Sequence, residues 1–143
     1  MEVTKFKFHK RGNETGELVF LEACKDIPFE IKRVYYIYGV KKGERRGFHA
    51  HKELRQALIC IHGSCKVMLD DGKEKIDILL NDPTEGLLVD INTWREMYDF
   101  SDDAVLLVLA SEYYTEADYI RSYEDFMRYM KAVEGENNEN SIC

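Results

Sequence analysis

Short runs of alternating apolar and polar residues recur along most of the chain, with turn signals between them and only two prolines to interrupt them. A period of two marks strands that bury one face and leave the other wet. The segments that carry it are Gly16 to Ala23, Ile31 to Val40, Leu54 to Gly63, Ser64 to Gly72, Glu74 to Leu80, Glu85 to Ile91 and Ala104 to Tyr114. All favour β-branched or aromatic residues, and the N-terminal KFKF adds a further candidate. His62-Gly63 joins two apolar runs, and Asp70-Asp71-Gly72 is a hairpin signal because Asp and Gly tolerate positive φ. After Tyr114 the period lengthens. Tyr119, Ile120, Tyr123, Phe126, Met127 and Met130 fall at helical spacing, which predicts a C-terminal helix from near Thr115, with Thr115 as N-cap and Asp118 in the first turn. The expected fold is all-β, a single antiparallel barrel or sandwich closed by one helix.

Composition narrows the function. A chain of 143 residues, 45% hydrophobic and 33% charged, builds one globular core. One domain is expected over residues 1–132, followed by a polar tail over 133–143 that frays. The formal charge of -7 opposes a nucleic-acid backbone. No stretch reaches the roughly 20 apolar residues of a membrane span, and the start lacks the apolar centre of a signal peptide. A cytoplasmic protein without membrane or nucleic-acid partners is expected. Cys24, Cys60, Cys65 and Cys143 form no CxxC pair, so they read as reduced, buried thiols rather than zinc ligands or disulfides.

The chemistry-bearing segment is Arg45-Arg46-Gly47-Phe48-His49-Ala50-His51, followed by Gln56 and Gly63. On a strand, His49 and His51 project from one face and bring two imidazoles into one cavity. Without further context two such histidines are as readily core or surface residues. His62 reads as an exposed turn residue, His9 lies in a polar stretch, and the Tyr and Met series after Tyr114 reads as a packing stripe.

The His-x-His spacing, the polar residue five positions on and the later glycine resemble the first motif of the cupin family, in which a Glu metal ligand usually stands where Gln56 is. Arg95 stands where the second cupin motif carries a third His ligand. A permanent cation and a neutral amide are poor company for a divalent metal, so no metal or other cofactor is expected. Longer strings resemble the sugar 3,4-ketoisomerases: IPFEIKRVYYI from Ile27, RGFHAHKEL from Arg46, QALICIHGSCKVMLDDG from Gln56, WREMYDF from Trp94 and VLLVLASEYYTEADYIRSYEDF from Val105. The resemblance runs from about Gly16 to Tyr129. It implies a cupin or jelly-roll barrel and a metal-free isomerase. The substrate it implies is a dTDP-linked (thymidine-diphosphate-linked) 4-keto-6-deoxyglucose, whose ketone moves from carbon 4 to carbon 3. It also implies a homodimer with exchanged N-terminal strands, on a route to 3-amino sugars of bacterial surface glycans such as O-antigen or S-layer.

That reaction needs a base and an acid beside one sugar ring, and histidine suits both roles. His49 is the favoured proton-abstracting base, with His51 its partner at the neighbouring atom; the division between them stays open. Arg33, Arg46 and Arg95 are candidates for the diphosphate and the enediolate. Tyr35 is preferred to Tyr36 because it shares parity with Arg33. Gln56 completes the set, and Trp94 either stacks on the substrate or anchors the core. Glu96 either enters the cavity or pairs with Arg95. A metal-dependent cupin, a non-catalytic sugar-nucleotide-binding module and a nucleotide-sugar 3,5-epimerase are the competing readings. The configuration at carbon 4 of the product stays open too, because family members carry His or Arg at the Arg95 position and Tyr or Arg at that of Thr15.

Overall fold

The structure is a computed structural model that describes residues 1–141, with side chains described as far as Glu136. In chain order the strands are β1 (Lys5–Lys7), β2 (Lys10–Asn13), β3 (Gly16–Val19), β4 (Arg33–Tyr38), β5 (Arg46–His51), β6 (Gln56–His62), β7 (Cys65–Asp70), β8 (Lys75–Leu80), β9 (Glu85–Val89), β10 (Trp94–Tyr98), β11 (Val105–Ala110) and β12 (Tyr119–Ile120). One helix, α1 (Tyr123–Ser141), follows. Two five-stranded sheets form, in the orders β1-β9-β6-β11-β4 and β12-β5-β10-β7-β8, and β2-β3 make a separate ribbon. This is the expected antiparallel jelly roll with a C-terminal helix. The two sheets face each other without joining into one hydrogen-bonded closed barrel.

Alternation explains the layers. Leu58, Cys60, Val67, Leu69, Leu87, Val89, Met97, Leu106 and Val108 come from both sheets and pack between them. Their neighbours along each strand point outward. On the first sheet Ala57, Ile59 and Leu109 are covered by Phe8, Ile27 and Phe29. On the second, Ala50, Met68 and Trp94 are covered by Ile120 and by Phe126 of α1. Burying such side chains contributes about 1.5–3 kcal/mol each. Both turns read from the sequence form. Gly63 and Gly72 have positive φ, and the Asp70 and Asp71 carboxylates accept from backbone N–H groups of residues 72 to 74.

The C-terminal segment departs from expectation. Thr115 leads into a single 3-10 turn, Glu116–Asp118, and makes no side-chain cap. Tyr119 and Ile120 then pair with His51 and Ala50 of β5, so Tyr119 lies on a sheet edge rather than on the helical stripe. The helix starts eight residues later than Thr115, where the Ser122 hydroxyl accepts from the Asp125 N–H and Glu124 and Asp125 complement the helix dipole. Cys60 and Cys65 are buried, whereas Cys24 is exposed, contrary to the reading of buried thiols; Cys143 lies outside the described residues. Among the described residues no helix is long and apolar enough to cross a membrane.

Candidate active site

One strand irregularity aims the site. In the antiparallel pairing of β10 with β5, Arg95 faces His49 while Glu96 faces Gly47, so Phe48 is an extra residue on β5. Phe48 has φ 59°, and its side chain is exposed. A one-residue bulge inverts parity. Arg46, opposite Met97, therefore shares the inward face with His49 and His51 although strict alternation would separate them. Gly47 permits the bulge: its φ is 96°, and a Cβ there would come within 2.8 Å of the Arg95 carbonyl oxygen.

The inward residues of β4, β5 and β12 line a cavity of about 480 Å³, with Arg33, Tyr35, Arg46, His49, Tyr119 and Arg121 on its wall. His51, Gln56 and Arg95 lie deeper, each at most 2% exposed. Tyr36, on the other face of β4, is 62% exposed, though it too borders the cavity.

Both imidazoles are held at Nδ1. His49 Nδ1 lies 3.0 Å from the Gly47 carbonyl oxygen, and His51 Nδ1 lies 2.9 Å from Asp118 Oδ2. A carbonyl and a carboxylate only accept, so each ring donates its Nδ1–H and keeps Nε2 bare. His51 Nε2 is buried with no partner. Burial, reinforced by the Arg95 cation, lowers the His49 pKa from 6.5 to about 4. The same two causes, in the same order, hold His51 well below the usual imidazole range. Both rings are neutral near pH 7, so each Nε2 carries a lone pair rather than a hydrogen. The rings lie 5.0 Å apart, and the Tyr119 ring packs 4.3 Å from His51 and 5.1 Å from His49.

Charge is arranged around them. Arg95 Nη1 donates to Gln56 Oε1 at 2.7 Å, its Nη2 donates to the Thr93 carbonyl at 2.9 Å, and Gln56 Nε2 donates to the Tyr35 oxygen at 2.9 Å. Burial lowers the Arg95 pKa to about 10, which leaves the guanidinium charged at neutral pH. Gln56 Oε1 is thus already taken by a cation. Among the described residues no three His, Cys, Asp or Glu side chains gather as a metal-binding group. Arg33 presents buried Nε and Nη2 atoms without partners, and its guanidinium lies over the rings of Tyr35 and Tyr114. Arg121 lies 4.1 Å from the Tyr119 ring centre and pairs with Glu116. A chain of net charge -7 thus surrounds this cavity with arginines.

Seven of the eight residues singled out from the sequence converge here. Trp94 does not. It belongs to the opposite face of β10, where its indole N–H donates to Glu96 Oε2 at 2.8 Å and its ring packs edge-on to Tyr123 and beside Phe126. Inward Arg95 forces outward Trp94; of the two roles open to it, the structure gives it the core anchor. Glu96 shares that outer face and pairs with Arg45, not Arg95. Asp118, Tyr119 and Arg121 were missed as site residues, although they stand within a string that carries the ketoisomerase resemblance.

The family described as FdtA: WxcM-like, C-terminal matches residues 1–131. The chain belongs to this WxcM-like family. A curated relative, TDP-4-oxo-6-deoxy-alpha-D-glucose-3,4-oxoisomerase of Aneurinibacillus thermoaerophilus, is 51% identical over 133 residues, covering 93% of this chain and 96% of that protein. The crystal structure of a 3,4-ketoisomerase from Helicobacter canadensis superposes with a TM-score of 0.89 at 49% identity, over 92% of this chain and 98% of the other. A mutant of the 3,4-ketoisomerase QdtA from Thermoanaerobacterium thermosaccharolyticum, in complex with TDP-4-keto-6-deoxyglucose, also gives 0.89, at 48% identity over 91% of this chain and 94% of the other. A 3'-monoepimerase from Streptomyces bikiniensis is only 14% identical at a TM-score of 0.72, a likeness of fold alone.

Proposed function

We propose that this chain is a 3,4-ketoisomerase acting on a TDP-linked 4-keto-6-deoxyglucose, with His49 as the base at carbon 3 and His51 serving the adjacent oxygens. The observation that carries the reading is the pair of neutral imidazoles, both held at Nδ1 with Nε2 bare, beside an arginine-lined cavity. His49 Nε2 takes the proton from carbon 3. The C–H electron pair becomes the carbon 3–carbon 4 double bond, and the ketone electrons move to the carbon 4 oxygen. Tyr35, whose oxygen accepts from Gln56, keeps its own hydrogen to donate to that oxygen. In the second half the imidazolium of His49 returns a proton to carbon 4. The carbon 3 hydroxyl gives its proton to His51 Nε2 and becomes the ketone, and His51 passes the proton to the carbon 4 oxygen. One C–H and one O–H change places, and no oxidant or metal is needed.

Arg33 and Arg46, on the cavity wall, are the binding groups for the diphosphate, and the charge of buried Arg95 adds to burial in keeping the imidazoles neutral. Arg33 supports this most directly, because two of its buried nitrogens are without partners. The protein acts as a homodimer in the cytoplasm, on a route to 3-amino-3,6-dideoxy sugars. Support for self-association comes from edge strand β4, which exposes Val34, Tyr36 and Tyr38. NMR of the product formed in the presence of a chelator tests the reaction. A ketone at carbon 3 is the expected result. Inversion at carbon 5 with the ketone unmoved replaces the reading with the epimerase, a requirement for added metal replaces it with a metallo-cupin, and tight binding without turnover replaces it with a binding module.

A further inference from the structure

Asp118 is a buried carboxylate that the scheme above does not use, and each hydrogen bond its carboxylate makes ties it to the strand and turn that carry His51. Its Oδ2 accepts from His51 Nδ1 at 2.9 Å, its Oδ1 accepts from the Glu53 N–H at 2.7 Å, and the Leu54 N–H lies 3.4 Å from Oδ2. Its own backbone carbonyl accepts from the Lys52 N–H at 3.1 Å. The 3-10 turn Glu116–Asp118 and the pairing of Tyr119 with His51 deliver the carboxylate to that spot. Two backbone donors hold the oxygens against rotation, so the carboxylate faces the imidazole only as an acceptor. At the other end of the ring, Nε2 is buried without a partner. A ring that donates at Nδ1 must be bare at Nε2 when neutral.

We infer that Asp118 is a positioning residue that fixes His51 in its Nδ1–H tautomer and so makes its Nε2 the acceptor for a substrate hydroxyl proton. This rests on the ketoisomerase reading for the identity of that hydroxyl, but the tautomer is a property of the protein alone. His49 gets the same tautomer from a backbone carbonyl. The two rings are therefore set by different devices, and only that of His51 can be altered by a side-chain substitution.

The experiment compares wild type with Asp118→Asn. The amide keeps an oxygen for the Glu53 N–H but turns its NH₂ toward His51, which favours the tautomer with hydrogen on Nε2. Long-range proton–nitrogen correlation spectra of the substrate-free protein should place the His51 hydrogen on Nδ1 in wild type and on Nε2 in the variant. With the 4-keto sugar nucleotide in deuterium oxide, kcat for ketone migration should fall about 10²-fold or more, with KM within about threefold. Exchange of the carbon 3 hydrogen, which His49 performs, should continue. A wild-type His51 carrying its hydrogen on Nε2 overturns the inference, as does a variant with near-wild-type kcat or one that loses binding, migration and exchange together. If wild type leaves the ketone unmoved while the spectra show the Nδ1–H tautomer and its change in the variant, the ketoisomerase reading fails and the role of Asp118 in fixing the tautomer stands.

Discussion

Gln56 hands the Arg95 cation on to Tyr35: its amide accepts from Arg95 at 2.7 Å on one side and donates to the tyrosine oxygen at 2.9 Å on the other. The direction of each bond follows from the fact that arginine cannot accept. The Gln56 amide orientation is set by the adjacent Arg95 charge, and the free direction of the Tyr35 hydrogen is thereby set by a cation one side chain away.

Replacing Tyr35 with Phe removes the hydrogen proposed to serve the carbon 4 oxygen and leaves Gln56 Nε2 without its acceptor. The expected result is a kcat loss of about 10²-fold, in the range of one lost oxyanion donor. A stability loss of about 1–3 kcal/mol should accompany it, from the unsatisfied amide. Steady-state kinetics and urea unfolding read the two effects separately.

The His49 pKa is held near 4 by burial first and by the Arg95 charge second. Replacing Arg95 with Met removes the second cause, so the His49 C2–H resonance should titrate at higher pH than in wild type. The linkage follows from the sign: between pH 6.5 and about 4 the unfolded chain takes up a proton at this histidine that the folded chain refuses. Its contribution is therefore intact above pH 6.5 and is lost as pH falls toward 4, by up to about 3 kcal/mol. In His49→Asn the acid loss of stability should be correspondingly shallower, as measured by denaturant unfolding at pH 7, 5.5 and 4.5.

Legibility from sequence differed between residues for physical reasons. His49, His51, Gln56 and Arg95 could be found because spacing along strands fixes which side chains share a face, and the strands themselves alternate clearly. Trp94 lay within the same string, and the parity of Arg95 already assigned it to the opposite face. The bulge at Phe48 was invisible, since an extra residue leaves no mark in a period of two, yet it decides that Arg46 joins the cavity. Asp118 and Tyr119 were hidden by helical spacing: a 3-10 turn and a two-residue strand are too short to impose a period of their own. Tertiary pairing with β5 overrode local pattern there.

Gly47→Ala should harm the enzyme more than an alanine at an exposed strand position. The new Cβ would meet the Arg95 carbonyl at 2.8 Å in a backbone conformation that side chains avoid. A stability loss of about 2–3 kcal/mol is expected from strain and displacement together. Activity should fall as well, because the bulge aims His49 and Arg46. Thermal unfolding and kcat/KM measured on the same preparation check both.

Trp94→Ala should behave oppositely to a substrate-stacking residue. It empties the space beneath α1 next to Tyr123 and Phe126, at a cost of about 3–5 kcal/mol. The milder Trp94→Phe should be destabilised less and keep KM for the sugar nucleotide within about twofold. A large rise in KM in a folded Trp94→Phe protein would place the indole in the binding site after all.

In the proposed reaction His49 Nε2 removes the hydrogen at carbon 3. The most direct measurement is proton NMR of the TDP-linked 4-keto-6-deoxyglucose in deuterium oxide with wild type, His49→Asn and His51→Asn. Wild type should move the ketone to carbon 3 and place deuterium at carbon 4, His51→Asn should still exchange the carbon 3 hydrogen, and His49→Asn should do neither. Carbon 3 exchange that survives loss of His49 and vanishes with loss of His51 would contradict this role of His49.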